Sequence, residues 1–119
     1  MIEEVRVHCL EKAGTTEDFP FGDDVLVFKV RGKMYALMNL ERDPLSVNLK
    51  CDPERALDLR DAYESVLPGY HMNKKHWNTV VFEGDVPDEL LMELVDHSYD
   101  LVVRSLTRKE RKALEEESG

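Results

Sequence analysis

Two apolar runs, residues 25–30 (Val-Leu-Val-Phe-Lys-Val) and 34–39 (Met-Tyr-Ala-Leu-Met-Asn), are separated only by Arg31-Gly32-Lys33. Extended, β-branched and aromatic residues on both sides of a short glycine turn specify a β-hairpin. That commits the chain to an antiparallel sheet, because a lone hairpin is unstable in water and needs further strands and a cover. The next stretch supplies a strand. Leu45-Ser46-Val47-Asn48-Leu49-Lys50 alternates strictly, placing Leu45, Val47 and Leu49 on one face and Ser46, Asn48 and Lys50 on the other. The Asp43-Pro44 turn introduces it. One face of the sheet is thus predicted to meet a core, and the other solvent or a partner.

The cover is predicted to be helical. Ile2, Val5 and Cys9 recur at helical spacing after Glu3 and Glu4, whose charges suit a helix N-terminus, and Gly14 is the predicted stop. Asp52-Pro53-Glu54 has the chemistry of a helix start, with Asp52 as cap and Pro53 in the first turn. That helix is expected to run to residue 64, with Ala56, Leu59, Ala62, Tyr63 and Val66 on its inner side and Pro68-Gly69 as its end. Pro87-Asp88-Glu89 opens another, with Leu90, Leu94, Leu101 and Val102 as its buried stripe. Thr107 followed by Glu110 reads as a capping box for a last short helix ending in a frayed tail, residues 115–119. Residues 15–24 read as a loop whose Phe19 and Phe21 pack inward.

A chain of 119 residues with 42% hydrophobic content suits one domain, residues 1–119, with one core. It has no apolar run approaching the roughly 18 residues of a membrane span, and it opens on acids, so a cytoplasmic protein is expected. Cys9 and Cys51 fit no metal spacing and are expected to be buried thiols. The 25 acids against 16 Lys and Arg give a net charge of −9, which opposes nonspecific binding to a polyanion. The deficit is uneven. Residues 1–24 hold seven acids and two bases, and residues 83–100 hold seven acids and no base, whereas residues 25–82 hold nine bases and seven acids. An acidic face and a near-neutral or mildly basic face are therefore compatible with one molecule.

From Ser65 through Phe82 there is no Asp or Glu. Within that island lies His71-Met72-Asn73-Lys74-Lys75-His76-Trp77-Asn78-Thr79-Val80-Val81, with the only Trp, paired lysines and two of the four histidines. Trp77-Asn78-Thr79-Val80-Val81-Phe82 suits a strand, and Pro68-Gly69 a turn, so Asn73, Lys74 and Lys75 fall at a bend between a short strand and a longer one. Donors from lysines, amides and imidazoles at one bend can meet an anion. Trp77 suits either a core anchor or a stacking platform, and Asn73 and Asn78 either bond base edges or bond their own backbone. His71 and His76 could also share a metal with Cys51 or a carboxylate, although structural zinc sites use four well-spaced ligands, and no metal or cofactor is expected. His97 and Asp100 are a surface pair at helical spacing. Arg104, Arg108, Lys109, Arg111 and Lys112 are the densest basic cluster.

The His71–Val81 string, with Pro68-Gly69-Tyr70 before it, resembles the signature of the MmcQ/YjbR family of small bacterial domains. Thr15-Thr16-Glu17-Asp18-Phe19-Pro20-Phe21-Gly22, Phe28-Lys29-Val30-Arg31-Gly32-Lys33-Met34-Tyr35-Ala36 and Ser98-Tyr99-Asp100-Leu101-Val102-Val103 fit the same pattern, so the resemblance covers nearly the whole chain. It implies an α+β, CyaY-like fold, an antiparallel sheet of about five strands with helices packed on one face. It also implies a double-wing arrangement proposed for DNA binding. On that reading Arg31 and Lys33 form one wing, while His71, Asn73, Lys74, Lys75, His76, Trp77 and Asn78 form the other. No Walker loop, GxGxxG, GxSxG or HExxH occurs, and a non-catalytic, monomeric domain is expected. The alternative is a domain that binds a protein or a small anionic ligand. A third reading is an enzyme using His71 or His76 as acid or base.

Overall fold

The computed structural model describes residues 1–118. The hairpin forms as β2 (Val25–Val30) and β3 (Lys33–Asn39), with Val30 opposite Lys33. The turn is therefore two residues, Arg31 and Gly32, not three. Both have positive φ (51° and 79°), the conformation that matches the twist of two paired strands and that Gly adopts freely. A bulge interrupts the pair: Phe28 faces Ala36 but Lys29 faces Met34. Tyr35 is the extra residue, and Tyr35, Ala36 and Met38 are all buried.

The described residues form six strands and four helices. The remaining strands are β1 (Thr15–Asp18), β4 (Ser46–Lys50), β5 (Val66–Pro68) and β6 (Trp77–Val81), ordered β1-β2-β3-β4-β6-β5 with every neighbour antiparallel. The helices are α1 (Ile2–Leu10), α2 (Pro53–Ala62), α3 (Asp88–Arg104) and α4 (Arg108–Ser118). The α+β class and the antiparallel sheet are as expected, with one strand more. The extra edge strand β1 replaces the first part of the predicted loop at 15–24. Phe19 and Phe21 then correct the inward expectation: they are 43% and 62% exposed, because they follow the last strand residue and hang beyond the sheet.

The α3 helix packs on β2, β3 and β4, α1 on α3 and β1, and α2 on β5. Between them lies the core, with Val5, Cys9, Phe28, Val30, Tyr35, Val47 and Val95 fully buried. The bulge leaves the β3–β4 ladder short, since its register holds only Ala36 with Leu49 and Leu37 with Asn48. Ser98 of α3 fills the gap. Its hydroxyl donates to Tyr35 O at 2.5 Å and accepts from Lys50 N at 2.9 Å, so the buried polar groups on both strands are satisfied.

The caps at Asp52 and Thr107 form as predicted. Asp52 Oδ1 accepts from Glu54 N and Arg55 N, and Thr107 and Glu110 each accept the other's backbone N–H. Several details differ. Helix α2 ends at Ala62, because Asp85 accepts the amides of Glu64 and Ser65 and so turns the chain into β5. The short strand thus ends at Pro68 instead of following Pro68-Gly69, and Val66 is buried in the sheet. The stripe of α3 is Leu91, Leu94, Val95, Ser98 and Val102, with Leu90 and Leu101 at its margin. Helix α4 continues through the predicted tail to Ser118, and Gly119 lies outside the described residues. Leu45, expected on the core face, is 38% exposed because β4 begins only at Ser46. Among the described residues no helix is long and apolar enough to cross a membrane.

Candidate functional site

The signature bend is a closed strap. The side chain of Asn73 accepts from Lys75 N at 2.9 Å, and its carbonyl accepts from His76 N and Trp77 N. Asn73 therefore bonds its own backbone. Lys74 Nζ donates to Gly69 O at 3.1 Å, closing the bend from the other side. Arg60 of α2 reaches in to donate to Asn78 Oδ1 at 2.7 Å, to Trp77 O at 3.3 Å and to Lys74 O. Gly69 is required: a Cβ there would lie 2.7 Å from Trp77 Cβ and 2.9 Å from Trp77 O.

The strap folds over the sheet face opposite the helices. Leu37, Asn48, Thr79 and Leu67 are register partners across β3, β4, β6 and β5, so their side chains share that face. Asn48, on the polar face of its strand, is 8% exposed because the strap covers it. A ring of three hydrogen bonds joins them. Tyr70 N donates to Thr79 Oγ1 at 2.9 Å, Thr79 Oγ1 donates to Asn48 Oδ1 at 2.5 Å, and Asn48 Nδ2 donates to Tyr70 O at 3.3 Å.

The sequence-predicted residues separate accordingly. Asn78 points to the helix side, is 2% exposed and donates to Ala56 O at 3.3 Å, so it is unavailable to a nucleic acid without unfolding. Trp77, opposite Lys50, is half-buried on the open face. It is neither the fully buried core anchor nor a bare platform. His76 is half-buried and its carbonyl accepts from Cys51 N at 2.8 Å. Lys75 and His71 are exposed. In the hairpin turn Arg31 pairs with Glu117 at 3.3 Å and Lys33 donates to Ser105 O at 3.4 Å, so the hairpin tip rests on the helical layer.

Among the described residues no three His, Cys, Asp or Glu side chains converge to hold a metal. Burial pushes the Cys9 thiol up to about 12 and the Cys51 thiol up to about 11, so both stay protonated at neutral pH. His97 does not pair with Asp100 but accepts from Asp52 N at 3.1 Å, which requires a neutral Nε2. The closest imidazole–carboxylate pair is elsewhere: His8 Nε2 lies 2.6 Å from Asp96, which also binds Lys12.

The open face holds a cavity of about 310 Å3 between the strap and the Phe21 loop. Val25, Met34 and Leu37 line it with Ser46 and Asn48 from the sheet; Phe21, Arg42, Tyr70, His71 and Met72 line it from the loops, and Asn39 completes the lining. Met34 and Leu37 face the same cavity, although three apart, because the bulge at Tyr35 shifts the alternation by one. The Arg42 guanidinium carbon sits 3.5 Å from the centre of the Tyr70 ring, and the centre of the His71 ring lies 4.0 Å from the same point. Sequence reasoning found His71 but not Arg42, Tyr70 or Phe21, which lie far apart in the chain. The one local signal was the polar alternation of Ser46 and Asn48.

Comparison with known proteins places these features in a family. The family model YjbR matches residues 10–101. The Escherichia coli O157:H7 protein named uncharacterized protein YbdF is 40% identical over 94 residues, covering 79% of this chain and 77% of its own. Uncharacterized protein YjbR of Escherichia coli K12 is 34% identical over 113 residues, covering 95% and 96%. The crystal structure of Deinococcus radiodurans protein DR2400, a DUF419 domain, superposes with a TM-score of 0.90 at 48% identity, covering 96% of this chain and 87% of that one.

Proposed function

The chain belongs to the YjbR family, and for it we propose a non-catalytic binding domain that holds a small molecule on the open face of its sheet. The cavity under the strap carries this reading. A concave, mostly apolar site with a few polar groups, near 300 Å3, is the usual form of a small-ligand site. Its cover is tied to the sheet by the hydrogen bonds from Tyr70 to Thr79 and from Asn48 to Tyr70. Phe21 of the neighbouring loop forms its far wall. The test is a ligand-observed NMR screen of small aromatic and aliphatic compounds against wild type and Ser46→Trp, whose indole would fill the cavity. Binding to wild type that is lost in the variant supports the site; binding unaffected by Ser46→Trp removes it.

A second reading, binding of DNA, is favoured by one observation. The register places the Arg31-Gly32 turn and the Lys74–Trp77 bend at the same end of the sheet, roughly two strand spacings or about 10 Å apart. Two basic turns side by side can follow a phosphate backbone. Lys75 is the residue to test, because Lys74 already holds Gly69 O. If the reading is right, Lys75→Glu weakens duplex binding at every sequence and lowers the salt slope by about one. Equal binding by the two proteins, or none near physiological salt, eliminates it.

A further inference from the structure

We infer that the ligand of this cavity is a planar, apolar carboxylic acid, and that Arg42 is the residue that recognises its charge; this rests on the binding reading above. The chain carries 25 acids, yet the cavity is lined by none, while a guanidinium and an imidazole lie at its rim. Among the described residues Arg6, Lys12, Lys29, Arg31 and Arg55 all pair with acids, but no ion pair involves Arg42. It is half-buried and held by its face on Tyr70, so its N–H fork remains for a group approaching its edge.

The count of donors selects the anion. One guanidinium matches a carboxylate in a bidentate pair, whereas a phosphate dianion calls for more cations or a nest of backbone amides. Asn39 can add one hydrogen bond: its Oδ1 accepts from Glu41 N at 3.0 Å, which leaves its amide nitrogen as a donor. The rest of the wall sets the body of the ligand. Val25, Met34, Leu37 and Met72 offer no polar partner, and Phe21 presents a ring to a flat molecule.

Three probes with one body separate the possibilities: 2-naphthoate, 2-naphthamide and 2-naphthyl phosphate, titrated calorimetrically near neutral pH into wild type, Arg42→Gln and Arg42→Lys. Wild type is expected to bind the carboxylate at least about ten-fold tighter than the amide. Arg42→Gln should erase that preference while holding the amide within roughly two-fold, which also shows that the variant is folded. Arg42→Lys should restore only part, since an ammonium cannot form the fork. Equal binding of acid and amide, or a preference that survives Arg42→Gln, overturns the assignment while the binding reading stands. Tighter binding of the phosphate overturns the carboxylate. If wild type binds neither naphthoate nor naphthamide, the planar ligand class is overturned, whereas loss of the binding reading is decided by the Ser46→Trp screen.

Discussion

The two faces of this sheet are built from the same strands and held in different ways. The helix side is closed by side-chain packing, with Val5, Phe28, Tyr35, Val95 and Val102 all 2% exposed or less. The open side is closed by a loop that polar contacts to Asn48, Thr79 and Arg60 tie down, and its lining residues Val25, Met34 and Leu37 stay half-buried. Packing on one face specifies the fold, which frees the other face to be a cavity. Only parity along each strand decides which role a residue has, and the Tyr35 bulge shows the chain adjusting that parity within a single strand.

Removing a core side chain should give the largest effect and fall on both faces at once. Phe28→Ala is expected to cost about 3–5 kcal/mol in a denaturant titration. Changes to the strap should be smaller and confined to the open face. Gly69→Ala forces a Cβ against Trp77, including its carbonyl, and should cost about 1–3 kcal/mol with loss of naphthoate binding. Asn48→Ala takes away the acceptor of the Thr79 hydroxyl proton and the donor to the Tyr70 carbonyl, at a cost of about 1–3 kcal/mol at most. Amide exchange sharpens the distinction: in Asn48→Ala the Tyr70 amide should exchange faster while those of α3 are unchanged. Uniform acceleration would show that the two faces are not separable.

The smallest effect concerns pH and lies on the helix side. Burial, then Arg55 and Arg104, hold the His97 imidazole below its ordinary 6.5, against the pull of Asp52 and Asp100. The folded chain thus binds that proton less readily than the unfolded one. The contribution is complete above pH 6.5 and is lost as pH falls from there towards the lowered value. Melting temperature should therefore decline on mild acidification, and His97→Gln should flatten that decline without altering naphthoate binding.

Local chemistry made the hairpin, the caps at Asp52 and Thr107, and the alternating strand β4 legible in the sequence. Each depends on residues within a few positions of one another. Strand β1 was illegible because Thr15-Thr16-Glu17-Asp18 lies at an edge with three of its four residues exposed, so no apolar period marks it. Strand β5 is three residues long, too short for any period. Asn78 looked like a surface donor because the Arg60 that binds it lies 18 residues away, on a helix whose face cannot be oriented locally. The cavity depends on still longer closures. Phe21, Arg42 and Tyr70 meet only after the sheet has formed, and nothing near any of them announces the others.

The short strand β5 has one more consequence, for behaviour at high concentration. A sheet edge with free amides is a template on which a second copy can pair and extend into a fibre. At this edge Val66 N is already bonded to Tyr63 O at 3.2 Å, and Pro68 has no N–H to offer. The opposite edge, β1, carries Glu17 and Asp18, bound to Arg6 and Lys29. Growth by adding strands is thus hindered at one edge by missing donors and at the other by charged side chains locked in ion pairs, so the sheet ends where the chain's own strands end.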